Sequence, residues 1–313
     1  MKILLTGASG YVGSETLHEL VKANHDVTTI SRTTRCQGIS SERHFVHDLL
    51  KPIPLKLDDF DLIIHAAGAN DVTSQDPAAA LSLTTLTTRH VAEFAALQRR
   101  PRLLYVSTLQ VYGRDEGAID ESTACQPLSG YALTHLFAEQ WVEQYGRTHG
   151  LRWINARLAN IAGIPSTGRM DRWSLVPGCF CQSAMREHTI VVRSTGSQQR
   201  DFLPVSEMAR RLVKIADDFD TYADGAVNVC SGAALTIGDI ARIAATRFRA
   251  FSGQTCKLRF DSLPGASHAT PTALSVGSRL FEHMAGTRIS KTEATNLMNH
   301  CIDQTYNHLK EGT

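Results

Sequence analysis

The stretch densest in usable chemistry is Thr6-Gly7-Ala8-Ser9-Gly10-Tyr11-Val12-Gly13, close to the start of a 313-residue chain. Three glycines at three-residue intervals lie between an apolar run, Lys2 to Thr6, and an amphipathic stretch, Tyr11 to Ala23. Gly7 allows a tight exit from a strand, Gly10 lets backbone approach a pyrophosphate, and Gly13 lets the following helix pack closely. A helix N-terminus adds N–H groups and a positive dipole end. An ordinary glycine-rich turn has the same composition, but the strand before it and helix after it point to dinucleotide binding. Ser31 and Arg32 follow about 20 positions later, where an acidic residue would accept from ribose hydroxyls and repel a 2′-phosphate. A small hydroxyl leaves room there, and a guanidinium fork pairs with phosphate. NADP(H) is therefore expected over NAD(H), unless Arg32 is simply a solvated loop residue.

These positions need a scaffold, and the hydropathy pattern supplies one. Short apolar runs at Lys2 to Thr6, Asp26 to Ser31, His44 to His47, Asp61 to Ala66, Arg102 to Ser107 and Leu151 to Arg157 read as strands. Longer amphipathic stretches separate them, including one opened by Pro77 and running to about Gln98, and another from Gly130 to Thr148. Near-continuous apolar strands alternating with helices predict a parallel sheet buried on both faces. The fold expected is α/β, a doubly wound parallel sheet of Rossmann type over residues 1–163. A smaller C-terminal α/β substrate lobe is expected over 164–313, some of whose segments return to the main sheet. Residues 164–186 show no clear period and read as loop and short helix. Beyond them come a strand (Thr189 to Arg193), a helix (Ser206 to Asp217), a strand (Ala226 to Cys230) and a helix from Thr236. Ser290 and Glu293 form a capping-box pattern, and Thr236 with Asp239 resembles one.

Composition narrows the class further. Apolar residues are 42% and charged residues 20% of the chain, as in a globular protein, and the formal net charge is +1. No basic excess favours nucleic acid or an anionic membrane surface as partner. No run approaches the 18 apolar residues of a membrane span, and the N-terminal apolar run is too short for a signal peptide. Seven cysteines without paired spacing fit reduced thiols and a cytoplasmic location. Cys179-Phe180-Cys181 near His188 lacks standard zinc spacing, so no metal is expected.

The glycine spacing, Gly-x-x-Gly-x-x-Gly, resembles that of the short-chain dehydrogenase/reductase family, and further stretches extend the resemblance over nearly the whole chain. Ser107-Thr108-Leu109-Gln110-Val111-Tyr112-Gly113 looks like the family's catalytic Ser/Thr segment. Tyr131 sits where the catalytic tyrosine opens the next helix, and Arg200-Asp201-Phe202 looks like a motif of the extended, nucleotide-sugar-modifying branch. Arg157, Asn160, Gly163 and the Asn228 to Gly232 segment fit that branch too. The resemblance implies a cofactor site of Gly7, Ser9, Gly10, Tyr11, Val12, Gly13, Ser31, Arg32, Asp48, Leu49, Ala66, Ala67, Gly68, Thr84, Ser107, Tyr131 and His135. Thr84 stands where the family usually has asparagine. Catalysis is implied at Thr108, which orients the substrate oxygen, and Tyr131, which exchanges a proton with it. Asn160 and Arg200 are implied at the diphosphate of the substrate.

The departure is position 135, where the family's lysine binds the nicotinamide ribose and lowers the tyrosine pKa. His135 is one helical turn from Tyr131 and so points the same way. A histidine near pKa 6.5 is mostly neutral at pH 7, and an unperturbed tyrosine is then only about one part in a thousand ionised. A tyrosine that only donates its proton tolerates that exchange better than one that must act as base. The expected function is thus NADP(H)-dependent reduction of a keto group, on a nucleotide-linked deoxysugar. A nucleotide-sugar epimerase is the alternative within the family, and an NADP(H)-binding sensor without turnover the alternative outside it. Leu109 and Gln110 replace the Asp-Glu pair of the family's dehydratases, which argues against dehydration. Relatives of this type pair through the helices placed here at 78–98 and 129–148, so a homodimer is expected.

Overall fold

The computed structural model describes residues 1–32, 43–54, 59–168, 170–261 and 273–311. The chain forms two compact units: residues 1–113, 123–158 and 209–229 in the first, and 114–122, 159–208 and 230–313 in the second. The division crosses the chain several times, with residues 209–229 falling in the first unit.

In the first unit the apolar runs form strands because each has two faces to bury. Ile3, Leu4 and Leu5 of β1 (Lys2–Thr6) and Leu62, Ile63 and Ile64 of β4 (Leu62–His65) are all inaccessible to solvent. That is the pattern of a parallel sheet covered on both sides. With β2 (Asp26–Ser31), β3 (His44–Val46) and β5 (Arg102–Thr108), they belong to a sheet that is seven-stranded among the described residues. Its order is Gly225–Val229, Arg152–Leu158, β5, β4, β1, β2, β3, with every neighbouring pair parallel. The chain runs outward from β1 through β2 to β3, then returns to the other side of β1 for β4 and β5. Ligands of open α/β sheets bind at such a reversal, outside the carboxyl ends of the strands. Both the glycine turn after β1 and the Ala66-Ala67-Gly68 exit from β4 lie there.

Several elements depart from the sequence reading. The helix opened by Pro77 runs Pro77–Ala80, then a wider π-helical segment Leu81–Leu86, then Thr87–Ala96, and ends two residues before Gln98. Asp76 caps it, its carboxylate accepting from the Ala78 and Ala79 amides. The sixth strand of the reading is shifted by one residue, to Arg152–Leu158, and Gly225–Val229 lies beside it. Within residues 164–186, read as loop and short helix, the helix is Val176–Glu187 and runs for 12 residues. Pro177 occupies its first turn, where the missing N–H costs nothing, and Phe180, Cys181 and Ala184 form its buried stripe.

That helix packs in the second unit with helices Ile237–Ser252 and Lys291–Glu311, around Ile190, Phe248, Met298 and Tyr306. Thr236 and Asp239 complete a reciprocal capping box, and Ser290 with Glu293 makes the same exchange. Among the described residues no helix is long and apolar enough to cross a membrane.

The packing of α1 (Tyr11–Lys22) on the turn leaves no room for a side chain at Gly7 or Gly13. A Cβ on Gly13 would lie 2.1 Å from the Gly7 carbonyl oxygen, and one on Gly7 would lie 2.6 Å from Ala66 and Ala67 backbone. Gly7 also holds φ at +72°. Gly13→Ala is expected to destabilise the protein by about 1–3 kcal/mol, because rigid backbone must give way; urea unfolding measures it.

Candidate active site

The candidate site of the first unit is built on β1, β4, β5 and the helix Gly130–His149. That helix starts where Ser129 accepts from the Ala132 amide and stops at Gly150, in the left-handed region at φ 69°. Tyr131 opens its first turn, and His135 lies one turn on, ring centroids 4.6 Å apart and edge-to-face. His135 is buried, and its Nδ1 is hydrogen-bonded to the Tyr105 hydroxyl at 2.7 Å. Its Nε2, equally buried, has no hydrogen-bond partner among the described residues. Its Cε1 lies 3.9 Å from where a Cβ of Gly68 would be, so the ring stands against the loop leaving β4.

Behind Tyr105 runs a chain of buried polar groups. His65 Nδ1 is 2.6 Å from Thr6 Oγ1, and its Nε2 is 3.0 Å from Thr88 Oγ1. Thr88 in turn donates to the Thr84 carbonyl, and Thr6 Oγ1 accepts from the Ala67 amide. Burial pushes His135 down to about 4. His65 is pushed down to about 3, by burial first and then by the neighbouring His135. Burial, with the charge of Glu139, raises the Tyr105 phenol above its usual range.

A second buried network fixes the helix itself. Arg157 forks onto Glu139, with Nη2 to Oε2 at 2.6 Å and Nε to Oε1 at 3.0 Å. Ser107 donates to Glu139 Oε1 at 2.5 Å, and Arg157 Nη1 donates to the Tyr112 hydroxyl, which donates to Asn228. Burial works against the Arg157 charge, but Glu139 more than restores it.

The sequence-assigned residues fall into three groups. Gly7, Gly10 and Gly13, with Ser9, Tyr11 and Val12, form the turn into α1, whose N-terminus carries no side-chain cap. With Ala66, Ala67, Gly68, Tyr131 and His135 they surround one sheet end. Thr108 is buried at the end of β5, its Oγ1 accepting from the Gln110 amide. Other assigned residues are held by the scaffold. The Ser107 hydroxyl is taken by Glu139, and Thr84 is buried with its Oγ1 accepting from the Ala69 amide. Asp48 closes its own turn through the Leu50 amide, and the Leu49 carbonyl meets His90 Nδ1 at 2.9 Å. Ser31 approaches His44 Nε2 at 3.4 Å, and Arg32 is exposed. Asn160 and Arg200 lie in the second unit: Asn160 donates to the Asp201 carbonyl, and Arg200 to Asp115 and to the Gln199 carbonyl. Sequence reasoning missed Tyr105, His65, Thr88 and Glu139. Glu139, four residues after His135, was the only one with a readable signal.

The backbone left bare by the glycines and the orphaned His135 Nε2 fit a dinucleotide at this sheet end. Among the described residues no group of His, Cys, Asp and Glu is placed to hold a metal. Residues 3–230 match the model of a family described as the NAD dependent epimerase/dehydratase family. A UDP-glucose 4-epimerase of Azospirillum brasilense is 26% identical, over 66% of each chain. A GDP-6-deoxy-D-mannose reductase of Pseudomonas aeruginosa is 27% identical, over 74% of this chain and 75% of its own. The fold is shared with the crystal structure of a UDP-glucuronic acid 4-epimerase from Bacillus cereus in complex with UDP-glucuronic acid and NAD. That likeness has a TM-score of 0.78 over all of both chains at 19% identity.

The two buried histidines set an acid-unfolding window. Unfolded, each titrates near 6.5, whereas folded they resist protonation down to about 3 and about 4. Between those limits the unfolded chain binds protons that the folded chain does not. Their stabilisation is complete above about pH 6.5 and is lost as pH falls toward 4, by up to about 1.4 kcal/mol per pH unit per histidine. Urea midpoints between pH 7 and 4 should fall accordingly, and less steeply in His65→Gln.

Proposed function

Because the chain belongs to the NAD dependent epimerase/dehydratase family, we propose that it binds a nicotinamide dinucleotide and epimerises a carbon of a nucleotide-linked sugar. The observation that carries the cofactor part of this reading is the His135 ring, buried one turn from Tyr131 with its Nε2 unpartnered among the described residues. The place of the family's lysine is thus still shaped for a polar contact, although the charge is gone. When bound, the cofactor would supply reversible hydride exchange at the sugar carbon.

The chain's own groups do the rest. Gly7, Gly10 and the N-terminus of α1 receive the pyrophosphate, where bare backbone and the helix dipole favour negative charge. His135 hydrogen-bonds the nicotinamide ribose. Thr108 orients the sugar oxygen, and Tyr131 takes its proton and later gives it back. In the second unit, Asn160 and Arg200 receive the diphosphate. The Arg200–Asp115 pair is half exposed and worth about 0–1 kcal/mol, so phosphate displaces the carboxylate at little cost.

A second reading is favoured by the same histidine together with Ser31 and Arg32. Without a fixed cation at position 135, Tyr131 is a poorer base than acid, which suits reduction of a keto sugar by NADPH. The likeness to a structure holding NAD supports the first reading. The A. brasilense epimerase and P. aeruginosa reductase among its relatives bear one on each.

Incubation with UDP-glucose or UDP-glucuronic acid and catalytic NAD tests the first reading. Isomerised sugar with no net NADH is expected, at a rate that climbs between pH 7 and 9 as Tyr131 deprotonates. No isomerisation, with NADPH consumed by a keto sugar, establishes the reductase instead. In that case Arg32→Ala weakens NADPH binding and leaves NADH binding nearly unchanged; turnover with neither substrate overturns both readings. His135→Lys should raise the oxidation rate at pH 7 more than the reduction rate, in initial-velocity measurements.

We further propose a homodimer. Of the apolar residues on the two candidate helices, Val91, Phe94 and Tyr145 are buried, but Leu81, Leu86, Leu97, Leu133, Phe137 and Trp141 remain exposed. A dimer mass by light scattering at micromolar concentration, reduced to monomer in Trp141→Glu, is the outcome expected.

A further inference from the structure

We infer that Tyr105, on β5, is a positioning residue that fixes His135 as a neutral donor, with its proton on Nε2 and its Nδ1 bare. This deepens the cofactor reading above, and rests on it only for the identity of what Nε2 meets.

The proton count along the buried chain carries the argument. The Thr84 carbonyl can only accept, so the one hydroxyl proton of Thr88 is spent on it, at 2.6 Å. Thr88 Oγ1 is then an acceptor toward His65, whose Nε2 must carry the hydrogen that lies between them. A neutral His65 has a bare Nδ1, which receives the hydroxyl proton of Thr6. Thr6 Oγ1 takes the Ala67 amide with its lone pair, so that end of the chain closes without conflict. The remaining proton is that of Tyr105. Two acceptors lie within its reach: Thr88 Oγ1, which already serves His65, and His135 Nδ1, at 2.7 Å and with no other partner. A buried O–H left unpaired costs about 1–3 kcal/mol. Tyr105 therefore donates to Nδ1, and the tautomer of a neutral imidazole follows from the bond its other nitrogen makes.

The consequence is a donor that does not depend on charge. The family's lysine donates as an ammonium, whereas His135 donates as an uncharged N–H held in place from behind. Phenylalanine at 105 would keep the ring and lose the instruction.

The test is a long-range proton–nitrogen correlation spectrum of ¹⁵N-labelled protein at pH 7, with the His135 signal identified by its loss in His135→Asn. Expected is a protonated Nε2 and a bare Nδ1. In Tyr105→Phe the His135 signal should move to a mixture of tautomers, while His65 stays as it was and reports an intact fold. NADH affinity, read by fluorescence titration, should fall about tenfold in that variant. A wild-type His135 protonated on Nδ1, its phenol turned to Thr88 instead, overturns the inference. So does a Tyr105→Phe protein with both tautomer and affinity unchanged. Should that variant fail to fold, the wild-type spectrum alone decides. A wild type with the expected tautomer that binds neither NADH nor NADPH upholds the inference and sinks the cofactor reading.

Discussion

The first unit depends most on the fork between Arg157 and Glu139. Both side chains are buried, one on the strand Arg152–Leu158 and one in the middle of the helix Gly130–His149. Two charges in low dielectric are tolerated only when their hydrogen bonds are complete, and here Ser107 and Tyr112 supply the remainder. The fork thereby sets the rotation and height of the helix against β5. Tyr131 and His135 sit two turns and one turn before Glu139 on the same helix, so a shift there would move both. Ser107 belongs to this clamp, which leaves Thr108 as the side chain of that pair not bound to Glu139.

Position 135 carries a buried imidazole, whose Nδ1 would have nothing to meet without a partner behind it. Here the hydroxyl of Tyr105 meets it, and the hydroxyls of Thr88 and Thr6 complete the partners of His65 behind. Burial then works with the network, because a chain of neutral groups gains from exclusion of water while an ammonium would lose. Tyr131, one turn away, thus has a neutral ring beside it rather than a fixed positive charge. The competing epimerase and reductase proposals differ in what they ask of that neighbour.

The second unit owes its order to different devices. Asp201 accepts from the Ser231 and Gly232 amides, fixing the turn that follows Gly225–Val229. The adjacent Arg200 is steadied by Asp115, which comes from a short excursion of the chain after β5. A motif that reads as one contiguous stretch thus divides into a structural aspartate and an adaptable arginine.

The periodicity of the chain was enough to determine the strands of the parallel sheet and the helices between them. Two-sided burial forces continuous apolar runs, and glycines at fixed intervals mark the turn into α1. The types of residue at 108, 131 and 135 were equally plain. Sequence placed a short helix within 164–186 but not its bounds, because Pro177, Gly178 and two cysteines blur the apolar stripe of Val176–Glu187. Nor could it show the wide segment Leu81–Leu86, which follows from local hydrogen bonding rather than composition. Above all, it could not say what stands behind His135. Thr6, His65, Thr88 and Tyr105 come from three strands and a helix, and each reads alone as an ordinary core or strand residue. Only the side-by-side registry of β1, β4 and β5, set by backbone pairing far apart in the chain, packs the Thr6–His65–Thr88 group against the Tyr105–His135 pair at the candidate site.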